Sequence, residues 1–260
     1  MTTIPIFQLD AFTDKPFGGN PAAVCPLQEW LPDEVMQSIA LENNVSETAF
    51  YVPEGDGFRL RWFTPKIEVD LCGHATLATA WLILNEFELD RADVAFETRS
   101  GTLTVSRDGD LLEMDFPAMM AEELPVPAGL AEAIGIEPAK FLKALKNMAV
   151  LKDEAAVRAV NPDFGYIKNM DGMGLIITAP GDKSDCASRY FAPHAGIDED
   201  SVTGSAHCTI VPYWSGVLGK VQIHARQVSA RSGDLYCWLQ GDRVVLSGKA
   251  RTVIKGTFTI

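Results

Sequence analysis

Two stretches about half a chain apart repeat one pattern, and that repeat limits the fold more than any other feature of the sequence. Arg61-Trp62-Phe63-Thr64-Pro65 and Arg189-Tyr190-Phe191-Ala192-Pro193 share an arginine, two aromatic residues and a proline at the same spacing. Each leads through a short acidic stretch into a glycine turn that opens a run of small and apolar residues. The first turn reads Asp70-Leu71-Cys72-Gly73-His74-Ala75-Thr76, and the second Asp200-Ser201-Val202-Thr203-Gly204-Ser205-Ala206-His207. A pattern that recurs once points to duplicated halves, whereas a solenoid would show many short periods. We expect one half over residues 1–116 and the other over 117–260, with the last strand, about 250–260, a candidate to return to the first half.

The elements inside such halves follow from periodicity. Short β-like runs at residues 4–9, 48–52, 58–63, 111–116, 175–178 and 244–246 are separated by Asp-Gly or Gly-Asp turn pairs. Residues 32–43 place Val35, Met36, Ile39 and Ala40 on one helical face. Residues 75–87 are apolar nearly all round, the mark of a helix buried on every side. Two further short helices are expected at 141–149 or 153–160, and a linker at 117–129. The class expected is α+β, with mostly antiparallel strands wrapped round buried helices.

Charge narrows the partners. With 22 basic and 35 acidic residues the net charge is −13, which repels nucleic-acid phosphates. A small anionic substrate remains compatible, because local backbone dipoles can outweigh distant charge. The first residues lack the basic and apolar regions of a signal peptide, and the apolar run near 75–84 is too short to cross a membrane. Five cysteines without CxxC spacing argue against a disulfide framework or a zinc site and for a reducing, cytoplasmic setting.

The two glycine turns carry the chemistry. The first N–H groups of a helix have no partner inside it, and the helix dipole adds positive charge there, so paired helix starts facing one cleft would clamp an anion without lysine. His74 begins the first such helix, where the dipole is expected to keep the imidazole neutral. Asp200 and Ser205 occupy the matching second turn. Glu47, entering a structured run from Val45-Ser46, is a carboxyl that can act as both acid and base at one carbon. Cys72 is a possible thiol base at a helix start, but Ser201 and Val202 supply no second thiol. P-loop, dinucleotide-binding, HExxH and GxSxG motifs are all missing from the sequence.

With these residues in view, the chain resembles the phenazine-biosynthesis PhzF family of isomerases. The resemblance is carried by Asp10-Ala11-Phe12-Thr13, Phe17-Gly18-Gly19-Asn20-Pro21, Val45-Ser46-Glu47-Thr48, the Arg61 motif, and the two glycine turns. It implies a diaminopimelate epimerase-like fold, in which two pseudo-symmetric halves each wrap a β-barrel-like sheet round a central helix. It also implies an isomerase that uses no cofactor and no metal, often a homodimer, acting on a small carboxylate-bearing substrate. Glu47 would be the acid/base, with His74, Asp200 and Ser205 as its catalytic partners and Asn20, Gly73, Ala75, Gly204 and Ala206 as substrate contacts. Ser201 stands where the family commonly has proline. An amino-acid racemase or epimerase using Cys72, or a non-catalytic binding protein on the same scaffold, are the alternatives.

Overall fold

The computed structural model describes residues 2–260, and the chain divides into two compact units. One runs to Asp115 and takes back Ser247–Ile260 at the end; the other is Phe116–Leu246. The first contains β1 (Thr3–Ala11), β2 (Asn20–Pro26), α1 (Asp33–Asn43), β3 (Glu47–Glu54), β4 (Gly57–Phe63), β5 (Glu68–Val69), α2 (Gly73–Leu82), β6 (Asp93–Thr98), β7 (Gly101–Asp108) and β8 (Leu111–Pro117). The second contains β9 (Glu122–Leu124), α3 (Leu130–Ile134), β10 (Lys140–Lys143), β11 (Asn147–Val150), α4 (Glu154–Ala159), α5 (Phe164–Lys168) and β12 (Leu175–Pro180). It continues with β13 (Cys186–Ala192), β14 (Ile197–Asp200), α6 (Gly204–Leu218), β15 (Gln222–Gln227), β16 (Gly233–Gln240) and β17 (Arg243–Gly248). The last strand, β18 (Ala250–Thr259), pairs antiparallel with β1 along its whole length.

The duplication is legible in the strand pairing. In the first unit β1–β2 is antiparallel, β2–β3 parallel, β3–β4 antiparallel, and β4 carries both the short β5 and a parallel β6. In the second unit β10–β11 is antiparallel, β11–β12 parallel, β12–β13 antiparallel, and β13 carries both the short β14 and a parallel β15. The buried helix enters at the same point of each series, α2 after β5 and α6 after β14. Here the repeated arginine has a structural use. Arg61 grips Glu68 on β5 with two bonds of 2.7 and 2.8 Å, and Arg189 grips Glu199 on β14 with two of the same lengths. Such forked pairs fix geometry as well as charge. Each pins the short strand that delivers the chain to its helix.

The central helices are apolar because strands surround them. Every residue of α2 from His74 to Ala80 is buried, and it packs on β1, β2, β3 and β18. It runs on into a wider π turn at Ile83–Phe87, closed by the Glu88 N–H on the Ile83 carbonyl at 2.7 Å. In α6, Pro212 cannot donate to the carbonyl of Cys208. That carbonyl instead accepts the N–H of Met119 at 2.8 Å.

Two expectations are corrected. Residues 141–149 are not a helix but the ends of β10 and β11, a hairpin in register from Lys140↔Val150 to Lys143↔Asn147. A short run buried on both faces has no period that separates strand from helix, and pairing with β9 and β12 decided it. The expected linker at 117–129 contains β9, whose residues pair with β10. The neighbouring expectation at 153–160 corresponds to α4, where Asp153 Oδ1 accepts the Ala156 N–H at 2.8 Å as an N-cap.

Candidate active site

The first helix start is assembled from three segments of one unit. Gly19 has φ +60°, and a Cβ there would lie 2.1 Å from the Ala11 carbonyl oxygen, so glycine is required where the chain turns into β2. That turn delivers Asn20, fully buried, to the sheet. Parallel pairing of β2 with β3 sets Glu47 opposite Ala22, beside it. The helix α2 then brings His74, 7% exposed, against both.

The resulting contacts are short. His74 Nε2 lies 3.1 Å from Glu47 Oε2, and the Asn20 amide lies 3.3 Å from His74 Nδ1. Ser46 Oγ donates to Asn20 Oδ1 at 3.2 Å, and Cys72 Sγ lies 3.6 Å from His74 Nδ1. Glu47 Oε2 and His74 Nε2 are buried, close enough for an ion pair, but not aligned for a hydrogen bond, so each keeps hydrogen-bonding capacity unused. Polar atoms in that state are rare in folded interiors.

Protonation follows from these neighbours. Burial pushes the His74 pKa down, but the Cys72 sulfur and the Glu47 carboxylate outweigh it and hold the imidazole well above its ordinary value. The neutral imidazole expected from the helix dipole is therefore corrected: two groups in contact outweigh the partial charge of a helix end. Burial, reinforced by the Glu47 charge, raises the Cys72 thiol despite the opposing His74 and Ala75 N–H contacts. A raised thiol is a poor base at neutral pH.

The second helix start is tied down differently. Thr203 Oγ1 donates to Asp200 Oδ2 at 2.5 Å, and the buried Gln227 side chain spans the loop, donating to the Asp200 carbonyl at 2.7 Å and accepting the Thr203 N–H at 2.8 Å. Ser229 Oγ holds the Ser201 carbonyl at 2.7 Å. Ser205 is exposed on the first turn of α6, while Gly204 and Ala206 are buried. His207 Nδ1 donates to the Thr203 carbonyl at 2.7 Å, and burial pushes its pKa down to about 4.

The structure thus gathers Asn20, Glu47, Gly73, His74 and Ala75 in the first unit and Asp200, Gly204, Ser205 and Ala206 in the second. Ser46 and Gln227 escaped the sequence reading. Both act through hydrogen bonds to residues distant in the chain, and neither carries a local spacing signal. Glu47, Cys72 and His74 each offer a donor atom within 4.8 Å of the others. Among the described residues no helix is long and apolar enough to cross a membrane.

Comparison with known proteins adds a second line of evidence. The family described as phenazine biosynthesis-like protein matches residues 9–256. A Pseudomonas aeruginosa protein named as an uncharacterized isomerase is 51% identical over 98% of both chains. The crystal structure of a PhzF-family phenazine biosynthesis protein from Enterococcus faecalis superposes with a TM-score of 0.98 at 43% identity, covering 100% of both chains. A P. aeruginosa protein described as a predicted epimerase shares the fold, with a TM-score of 0.73 at 19% identity over 99% of both chains.

Proposed function

This chain belongs to the phenazine biosynthesis-like PhzC-PhzF family and is an isomerase, and from that premise we propose that it moves a proton between carbons of a small carboxylate-bearing substrate with Glu47 as the acid/base. The observation that carries this reading is the buried Glu47 Oε2, held 3.1 Å from His74 Nε2 with no hydrogen bond of its own. A carboxylate in that state can take a proton from carbon and give it back.

In the reaction the C–H bond breaks, its proton goes to Glu47, and the electron pair spreads into the adjoining unsaturated or carboxylate system. Glu47 then returns the proton to a different carbon. The step is redox-neutral and balances without a co-reactant, so no cofactor is invoked. His74, held toward its charged form, supplies an N–H beside Glu47 toward the charge that develops on the substrate. Asn20 holds the ring in place. N–H groups at the Gly73 turn would take the substrate carboxylate. Asp200 and Ser205 are proposed as further substrate-orienting groups, with Gly204 and Ala206 as backbone contacts.

The raised Cys72 thiol favours Glu47 over Cys72 as the base. The test does not depend on which acid is the natural substrate. A panel of unsaturated and 2-amino carboxylic acids is incubated with the protein in D2O, and loss of carbon-bound proton signals is followed by NMR. Wild type should wash out a C–H signal from at least one acid, and Glu47→Gln should not. Unimpaired washout in Glu47→Gln would refute the assignment.

A further inference from the structure

Glu47, Cys72 and His74 are residue types that bind zinc, and the proposed proton transfer leaves the thiol without a role. Each offers one donor atom, and these three atoms lie within 4.8 Å of one another. Among the described residues no other set of three comes together in this way. Cys72 and His74 are 6% and 7% exposed, so the set is shielded from water. They flank Gly73 at the entry to α2, and Glu47 arrives from β3, so no compact spacing such as CxxC marks the set along the chain.

Two independent observations point to a ligand. Glu47 Oε2 and His74 Nε2 are both buried without a hydrogen bond, a state that calls for an explanation in a folded interior. The distances also suit an ion. Oε2 and Nε2 lie 3.1 Å apart, and two ligands of one tetrahedral zinc, bound at about 2.0 Å, lie roughly 3.3 Å apart. Cys72 Sγ lies 3.6 Å from His74 Nδ1, and a zinc-bound sulfur and nitrogen span roughly 3.6 Å. These two close edges use different ring nitrogens. A single ion takes one of them, and the cluster closes on it by a shift of about an ångström, the difference between 4.8 Å and such an edge.

We propose that Glu47, Cys72 and His74 form an inhibitory site for a zinc ion, with the fourth position left to water. On binding, the thiol proton and any proton on the ligating ring nitrogen leave to solvent, and the metal bonds to sulfur, nitrogen and a carboxylate oxygen. Thiolate and imidazole together select zinc over magnesium or calcium, which take oxygen donors. The Glu47 side chain, 13% exposed, is the edge from which the ion enters. Inhibition rests on the reading of Glu47 as the acid/base, because a coordinated carboxylate is not free to take a proton from carbon. Binding itself does not depend on that reading.

The experiment titrates the full chain, reduced and stripped with chelator, with cobalt(II) as a spectroscopic substitute and then with zinc in competition. Wild type should bind one cobalt per chain with a thiolate-to-metal charge-transfer band, and zinc should abolish the band. Cys72→Ser should lose the band, and its zinc affinity should fall about tenfold or more, the scale that even outer partners of metal ligands supply. Cys72→Ala gives the same readout without a hydroxyl to pack. Glu47→Gln should keep the band and weaken zinc by a similar factor, whereas Cys237→Ser, which removes a different buried thiol, should match wild type. Absence of a saturable band in wild type, or an unchanged band in a folded Cys72 variant, would overturn the site. In the D2O assay, zinc should suppress washout by wild type; full washout with zinc bound would overturn the inhibitory role. The metal titration is read without turnover, so a saturable band in a protein that shows no washout leaves the site standing and counts only against the Glu47 assignment.

Discussion

His74, one residue after Gly73, and His207, three residues after Gly204, each lie in the first turn of a buried helix, and the two helices occupy equivalent places in units with the same strand order. Their titration nevertheless runs in opposite directions. His74 is held well above the ordinary histidine value, and His207 is pushed down to about 4. The difference comes from what crosses each helix start. In the first unit the Cys72 sulfur lies 3.6 Å from the ring and β3 brings the Glu47 carboxylate to 3.1 Å; in the second, His207 meets a backbone carbonyl at 2.7 Å. A carbonyl orients a neutral ring but cannot offset the cost of burying a charged one. The duplicated framework has thus been put to two uses. One helix start sets a buried carboxylate against a histidine, and the other has its loop pinned by Gln227 and Thr203.

The sharpest way to break this contrast is to remove the carboxylate. Glu47→Gln should lower the carbon-proton exchange rate by about a thousandfold, within the range that general acid-base groups supply. Asp200→Asn, measured in the same D2O assay, should cost much less. Equal losses would mean that the two starts are chemically equivalent.

The next largest effect is on stability in acid. Because the His207 pKa is depressed in the folded protein, the unfolded chain binds more protons between about pH 6.5 and about pH 4. Stability from the neutral ring is therefore present above that window and lost as pH falls through it, by up to about 3 kcal/mol. His207→Gln should flatten the acid limb of urea midpoint against pH, relative to wild type. An unchanged limb would place the loss elsewhere.

His74 has the opposite sign. Its raised folded pKa gives a contribution fully present below the ordinary histidine value, and lost as pH rises through the raised one. An NMR titration of the His74 ring should show the raised value in wild type and a fall toward the ordinary histidine value in Glu47→Gln. A titration unmoved by that substitution would show that Glu47 does not set its charge. The smallest change is expected from Cys72→Ser, whose exchange rate should stay within about tenfold of wild type; a much larger loss would move the base from Glu47 to the thiol.

Much of this site is legible along the chain, for identifiable reasons. The glycine turns and the arginine motifs show in the sequence because turn geometry and strand-to-helix entry demand particular residues at fixed spacing. Their recurrence exposed the duplication, and the strand pairing bears it out. His74, Asp200 and Ser205 are marked by their place at such turns, Glu47 by its entry into a structured strand, and all four by the family resemblance. Gln227 and Ser46 are not marked, because each bonds to a residue brought near by another strand. The hairpin of β10 and β11 reads as a helix along the chain because a run buried on both faces carries no period.

The two-fold plan of the chain, the buried helices and their glycine entries follow from residue order alone, since these depend on local conformation and apolar patterning. How the groups at those entries are charged follows from contacts made in three dimensions. Protonation depends on the nearest few ångströms of opposite charge and on the loss of water, and neither has a signature along the chain. His74 shows this most clearly. Its place at a helix start suggested a neutral ring, and the pairing of β2 with β3 put a carboxylate against it.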